Sequence, residues 1–461
     1  MTALRELVAK VASREIGAHE LVSRSFQRIE QLDPELGAVV ALRPEQALAE
    51  ARALDDALAA GHEAGPLAGL PLLVKDMTDV AGMRTTFGSR TFVAAPAAVT
   101  DALVVARLRA AGAIVVGKTN LPEFAAEGFT SNPVFGTTRN PWNRERTCGG
   151  SSGGSAVALA AGMAAIATAT DGGGSIRIPA AYCGLVGLKP TNGLIGRDPI
   201  PDWIDLSTDG PLSPHAGDLE VLLDVLRGPT AGDPTAQQTR PSDRERRIGR
   251  VFSIERFTDF GPLPAESAEP FSAASARFAG VFDRAIEPVT PAQLFAERRI
   301  DDDWFTLCGV EHAYRFGRVW FDEHVDSLTP AIRNFFGAAF ACSMQEYLAA
   351  RLRRFEYVRA LDDLLGDDGV LVSPVMALDA CPAEGPDEGT GADPYVCAAQ
   401  NITGHPALSL PSGFYPSGVP FGLQVTGPRF RDDLLLDIAR RWEQGAPWPL
   451  TAPGYELFDV L

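Results

Sequence analysis

The chain has 461 residues, 46% of them hydrophobic, and a formal net charge of -18 at pH 7. At roughly 150 residues per domain, that length alone would suggest three domains, although a large α/β enzyme can hold one continuous core. So acidic a chain lacks the basic surface that displaces counterions from nucleic acid, which excludes a nucleic-acid-binding role.

The one short basic run, Arg244-Glu245-Arg246-Arg247, reads as a solvated turn. Charge appears at Arg5 and no apolar h-region follows, so no signal peptide is expected. The most apolar stretch, Ala156 to Thr170, is broken by Gly162 and threonines and is too short to span a membrane. Cys148, Cys183, Cys308, Cys342, Cys381 and Cys397 form no C-x-x-C pair and no zinc spacing. They read as free, buried small hydrophobes in a reducing, cytoplasmic setting. No metal, cofactor or membrane partner is expected, and the chain is expected as a monomer or homodimer.

In chain order, residues 1–60 read as helices. Leu21, Val22, Phe26, Ile29 and Leu32 share one helical face, which Asp33-Pro34 is expected to end. A second helix runs from Ala47 to Ala60 and stops at Gly61. Leu72-Leu73-Val74 is a buried strand with Lys75 at its end. Thr100 or Asp101 is expected to cap a helix to about Ala111, followed by a strand at Ile114-Val115-Val116. This strand–helix–strand rhythm implies α/β architecture: one large α/β/α domain with a mixed, mostly parallel central sheet covered by helices. Ser155–Gly162 reads as a helix and Ala164–Thr170 as a strand, so Ser175 falls on a loop leaving a strand, where open α/β sheets bind ligands.

Residues 61–227 are therefore read as the catalytic core. Residues 228–345, richer in charge and aromatics, read as a helical cover, with helices around Trp304–Val319 and Met344–Leu365. Residues 346–461 return to the core through a hairpin, Ala407–Pro411 and Phe421–Val425 about a Pro-Ser-Gly turn, and a last helix from Asp433 to Glu443. Pro382 to Pro394 reads as a mobile loop within a single domain.

The chemistry centres on Asp171-Gly172-Gly173-Gly174-Ser175-Ile176-Arg177. Successive glycine N–H groups can cradle an oxyanion. Asp171 and Arg177 can pair across the loop and hold its shape. A serine nucleophile needs a base, and the six histidines adjoin none of these motifs. Lys75 can serve if burial leaves it neutral, whereas Lys118, without the spacing of a phosphate loop, reads as structural. Gly149-Gly150-Ser151-Ser152-Gly153-Gly154 also contains G-x-S-x-G about Ser151 or Ser152, which leaves an esterase of the α/β-hydrolase kind, with His405 downstream, as an alternative. No β-branched strand leads into that turn.

Together these segments resemble the amidase signature family of serine amidohydrolases. The resemblance continues through Cys183-Gly-Leu-Val-Gly-Leu-Lys-Pro-Thr191, Gly69–Asp76, Gly117-Lys-Thr-Asn120, Asn140-Pro-Trp-Asn143, Asn401-Ile-Thr-Gly404 and Gly418–Gln424. It implies a Ser–cis-Ser–Lys triad with Ser175 as nucleophile, Ser151 as bridging serine after a cis peptide, and Lys75 as base. It further implies Ser152 in support and an oxyanion hole from the N–H groups of Gly172, Gly173, Gly174 and Ser175.

The implied activity is cleavage of a small-molecule amide, or of a carbamate (urethane), through an acyl-enzyme. Transamidation members of the family carry an acidic residue shortly before Asn-x-x-Gly. Tyr395-Val-Cys-Ala-Ala-Gln400 has none. The cover, with Trp304, Phe305, Cys308 and His312, is closer to amidases acting on nylon-type oligomers, and Phe129, Trp304, Phe305 and Cys308 are candidate pocket residues. An inactive relative, serving in binding or assembly, is the non-enzyme alternative.

Overall fold

The computed structural model describes residues 3–237, 245–386 and 396–458. Arg244, Tyr395 and most of the expected loop from Pro382 to Pro394 lie outside them.

Helices Ala3–Ala12, Ala18–Leu36 and Pro44–Ala59 open the chain. The second continues past Asp33-Pro34, where a stop was expected. Pro34 sits in its last turn, and Gly37 (φ 62°) ends it, donating to the Asp33 carbonyl. The Asp33 carboxylate then accepts from the N–H groups of Ala38 and Val39, which turns the chain into the first strand.

A four-stranded sheet runs in the order Val39–Leu42, Ile114–Thr119, Pro71–Lys75, Ile166–Ala167. Pro71–Lys75 lies parallel to both neighbours and is buried throughout. Fully apolar runs such as Leu72-Leu73-Val74 suit a strand covered on both faces. The helix between these strands, Leu103–Ala110, begins after Ala102 with no side-chain cap. Asp101, a candidate cap, instead accepts from the N–H of Ala81.

A seven-stranded sheet follows the order Leu212–Ser213, Val186–Lys189, Ala407–Phe414, Pro420–Thr426, Val370–Pro374, Val251–Ser253, Ile286–Pro288. The expected hairpin is its centre, pairing Leu408 with Val425 and Leu410 with Leu423. The architecture is α/β with mixed sheets, but the expectation of mostly parallel pairing fails in this second sheet. Only Val251–Ser253 pairs in parallel, with both of its neighbours, and the remaining pairs, the hairpin among them, are antiparallel. Two of its strands come from residues 228–345, so that segment contributes sheet as well as cover.

The helices Ile300–Phe316, Arg318–His324 and Pro330–Ala341 enclose a second apolar cluster around Phe124, Phe321 and Phe336. Helix Arg177–Cys183 lies flat on the hairpin. A Cβ at Gly422 would stand 2.5 Å from that of Ala181, so a side chain there would lift the helix that begins just after Ser175.

Candidate active site

Strand Pro71–Lys75 delivers Lys75, fully buried, beneath the turn that opens helix Gly153–Ala160. The Gly150–Ser151 peptide in that turn is cis. Lys75 Nζ lies 2.7 Å from Ser151 Oγ, 2.9 Å from Ser152 Oγ and 2.9 Å from Thr170 Oγ1. Burial pulls the Lys75 pKa down to about 7, against the opposing charges of Asp171 and Asp209.

The hydroxyl protons sort this shell. Ser152 directs its proton to the Thr170 carbonyl at 3.4 Å, and Thr170 directs its own to Met77 Sδ at 3.4 Å. Both oxygens are therefore acceptors toward the amine. A neutral amine has two N–H donors and one lone pair. With both donors spent on Ser152 and Thr170, the lone pair faces Ser151, whose hydroxyl has no other partner among the described residues. Lys75 donates to Ser151 at 2.7 Å when charged, and only the neutral amine can accept the Ser151 proton. Thr170 was missed in the sequence. Its only signal there is its place next to Asp171.

Ser175 follows the short strand Ala169–Asp171 on the glycine loop, as expected. Asp171 organises the loop. Its carboxylate accepts from Gly174 N at 2.8 Å and Ile176 N at 3.2 Å, and takes a two-pronged contact from Arg177, Nε at 2.9 Å and Nη2 at 2.8 Å. Burial would push the Asp171 carboxyl up, but Arg177, Lys189 and Asn401 outweigh it and hold the pKa at about 2. Arg177 is itself fully buried and also donates to Gln400, Gln424 and Asn401. The motif residues Asn401 and Gln424 are thus the far wall of one buried ionic network.

This arrangement corrects the expected oxyanion hole. The Gly174 N–H is committed to Asp171, while those of Gly172, Gly173 and Ser175 have no hydrogen-bond partner among the described residues. Gly174 itself is needed for its backbone, at φ +121°.

Ser151 and Ser175 line one small compartment of about 40 Å³ with Met77, Phe124, Trp203 and His312. No hydrogen bond joins their hydroxyls. An adjoining chamber of about 310 Å³ shares Met77, Phe87, Thr170, Pro201, Asp202 and Ser207 with it.

The expected pocket residues lie elsewhere. Phe129 packs over Gly385, Phe305 is exposed against Trp304, and Cys308 is buried in the core. Trp304 supports the glycine loop from outside the compartment, its indole N–H donating to the Gly172 carbonyl at 2.7 Å. The aromatic residues of the cover were legible in the sequence, but which of them face the cavity is a matter of helix rotation.

Two other buried lysines are held away from the serines. Lys118 is ion-paired to Asp76 at 2.8 Å. Lys189, whose pKa burial also lowers to about 7, donates to the Pro190 carbonyl and Asn192 and touches no serine. The elbow alternative loses its parts: no strand enters Gly149–Ser151, and Ser151 and Ser152 meet Lys75 while His405, paired with Asp362, bonds neither. All six cysteines are free, with Cys342 and Cys381 only partly buried. Among the described residues no helix is long and apolar enough to cross a membrane, and no group of His, Cys, Asp or Glu could hold a metal ion.

The pattern described as Amidase matches residues 20–264 and 311–436. The chain belongs to the amidase signature family of hydrolases acting on amide bonds. Over 98% of its length this amidase is 34% identical to a putative amidase, AmiA2, of Mycobacterium tuberculosis, covering 94% of that protein. It is 33% identical to a glutamyl-tRNA(Gln) amidotransferase component of Synechococcus elongatus, covering 98% of this chain and 100% of that one. Among solved structures, a bacterial aryl acylamidase superimposes with a TM-score of 0.88 at 27% identity, over 97% of the amidase and 96% of that chain. A 6-aminohexanoate cyclic dimer hydrolase does so with 0.85 at 27% identity, over 98% of each.

Proposed function

We propose that this amidase cleaves a small carboxylic amide, or a carbamate, through an acyl-enzyme on Ser175. Lys75 is the base and Ser151 the relay. The observation that carries this reading is the shell around Lys75, a buried amine whose pKa is lowered to about 7 and whose Nζ lies 2.7 Å from Ser151 Oγ.

The Ser151 proton moves to Lys75 Nζ as the Ser175 proton moves to Ser151 Oγ. Ser175 Oγ then bonds the carbonyl carbon. Negative charge on the carbonyl oxygen is met by the N–H groups of Gly172, Gly173 and Ser175, and one such donor is worth about 3–4 kcal/mol of barrier. As the C–N bond breaks, the leaving nitrogen takes the proton back along Ser151 from Lys75. Water repeats the relay to release the acid and restore Ser175.

The compartment's apolar lining, with Met77, Phe87 and Phe124, supports an aryl or alkyl amide. So does the likeness to an aryl acylamidase. The lack of an acidic residue in Tyr395–Gln400 speaks against transamidation. The test is turnover of anilides, alkyl amides and aryl carbamates by wild type, Ser175→Ala and Lys75→Ala. The reading expects wild-type activity on at least one class and none in either folded variant. Near-normal activity in a variant, or exclusive use of free glutamine, contradicts it.

A further inference from the structure

We propose that the chamber beside the nucleophile accepts a substrate arm ending in an ammonium group, and that Asp209 receives it. This names the substrate class for the amide-cleaving site above and rests on that reading.

Asp209 pairs with Thr170 across two antiparallel strands, Ala169–Asp171 and Thr208–Gly210. Directly paired residues project on the same face, and both line the chamber of about 310 Å³. Thr170 in turn touches Lys75 Nζ. The carboxylate therefore stands one ladder rung from the reacting groups. Phe87, Phe92, Ile200 and Phe316 give the chamber apolar walls.

The charges in the chamber do not cancel. Arg315 is spent on Asp202, with Nε at 2.6 Å. Arg197 is spent on Asp233 at 3.2 Å and on Thr235, Ser207 and Ile204. Asp79 accepts the Thr85 hydroxyl at 2.6 Å, and Asp198 lies at the exposed rim. The Asp209 carboxylate accepts no hydrogen bond from any other described residue. Arg107 also acts on it electrostatically, yet that guanidinium donates to the carbonyls of Leu226, Gly228 and Pro229 and does not line the chamber. Burial pushes the Asp209 carboxyl up to about 6 despite Arg197, Lys75 and Arg107, so it is mostly ionised at pH 7.5 and lacks a partner.

A second unpaired group supports a polar ligand. Buried His312 lines the nucleophile compartment and stands 3.4 Å from Asp202 through Nε2, while its Nδ1 has no partner. The half-buried Asp209 carboxylate opens into the chamber without a side-chain donor, so a cation there would gain a charge-assisted hydrogen bond. An alkyl arm with a terminal ammonium fits both the walls and the charge. A carboxylate-ended arm would face Asp209 and Asp198.

The test compares matched substrates at pH 7.5. One pair is 6-aminohexanoyl and heptanoyl p-nitroanilide, with charge in the acyl half. The other is acetamide N-substituted with 6-aminohexyl or heptyl, with charge in the amine half. Wild type is expected to show kcat/KM about tenfold or more higher for the ammonium member of one pair. Asp209→Asn brings that ratio to about one, and Asp209→Glu retains a preference. The ratio is taken within one protein, so a loss of folded enzyme cancels. A ratio near one in wild type for both pairs, or a preference surviving Asp209→Asn, overturns the proposal.

Calorimetry with hexylammonium and 1-hexanol reads the same site without turnover. Hexylammonium should bind wild type about tenfold or more tighter than Asp209→Asn, and equal binding overturns the proposal. Selective binding with no hydrolysis of any substrate would instead count against the amide-cleaving reading alone.

Discussion

The indole N–H of Trp304 donates to the carbonyl oxygen of Gly172 at 2.7 Å. In a trans peptide the carbonyl and the next N–H point in opposite directions. Trp304 therefore fixes the Gly173 N–H on the far side of that peptide, where the proposed mechanism needs an oxyanion donor. Its ring also packs on Gly173, where an added Cβ would come within 2.4 Å of it. Trp304→Phe keeps most of the packing and removes the pin. The expected result is a fall in kcat of about tenfold, smaller than the loss of about 100-fold or more for removing an oxyanion donor outright, with KM nearly unchanged. Steady-state kinetics on a p-nitroanilide check it. An equal rise in KM at constant kcat would point to lost substrate binding instead.

Burial lowers Lys75 to about 7, so its protonated form gains at the expense of the base as pH falls. Rate against pH should therefore rise about tenfold per unit below that pKa and level above it. Lys75→Arg should be inactive at every pH, since a guanidinium does not deprotonate. Lys189 titrates in the same range but touches neither serine, so Lys189→Met should keep the acid limb.

Asp171 has a folded pKa of about 2, below the ordinary carboxylate value of about 3.9. A depressed carboxyl contributes stability above its unfolded pKa and loses it as pH falls through the folded one. Urea midpoints should thus decline between about pH 4 and 2, and Asp171→Asn should remove this contribution. That variant leaves Arg177 buried without its anion, which typically costs about 3–5 kcal/mol. It should also slow turnover, because the amide keeps one acceptor oxygen for two loop N–H groups, so the tie to Gly174 or to Ile176 is lost.

Gly174→Ala should lower both stability and activity. The residue sits at φ +121°, and its Cβ would meet that of Cys397 at 2.7 Å. Gly280→Ala is the matched control, in helix Ala265–Phe282 with nothing within 4 Å of the new Cβ. Melting temperature should fall for the first and hold or rise slightly for the second.

The sequence made the local pieces legible where one force dominates. An unbroken apolar run placed Lys75 at the end of a buried strand, and glycine followed by serine placed the loop. The hairpin showed itself by its turn. Long-range consequences were harder to read. Gln400, Asn401 and Gln424 gather on Arg177 only after the hairpin folds back on helix Arg177–Cys183. The Gly174 N–H looked free in the sequence, because local order does not say which acceptor it will find. Pro34 misled in the same way, since a proline near a helix end is tolerated when the next turn supplies its own stop.

The central claim is that Ser175 takes the acyl group. Rapid-quench mass spectrometry of the enzyme with an activated p-nitroanilide or aryl carbamate reads this directly, after peptide mapping. The account predicts an adduct with the mass of the acyl or carbamoyl group on Ser175 alone, absent in Ser175→Ala and in Lys75→Ala. An adduct on Ser151 or Ser152, or turnover in Ser175→Ala, would contradict it.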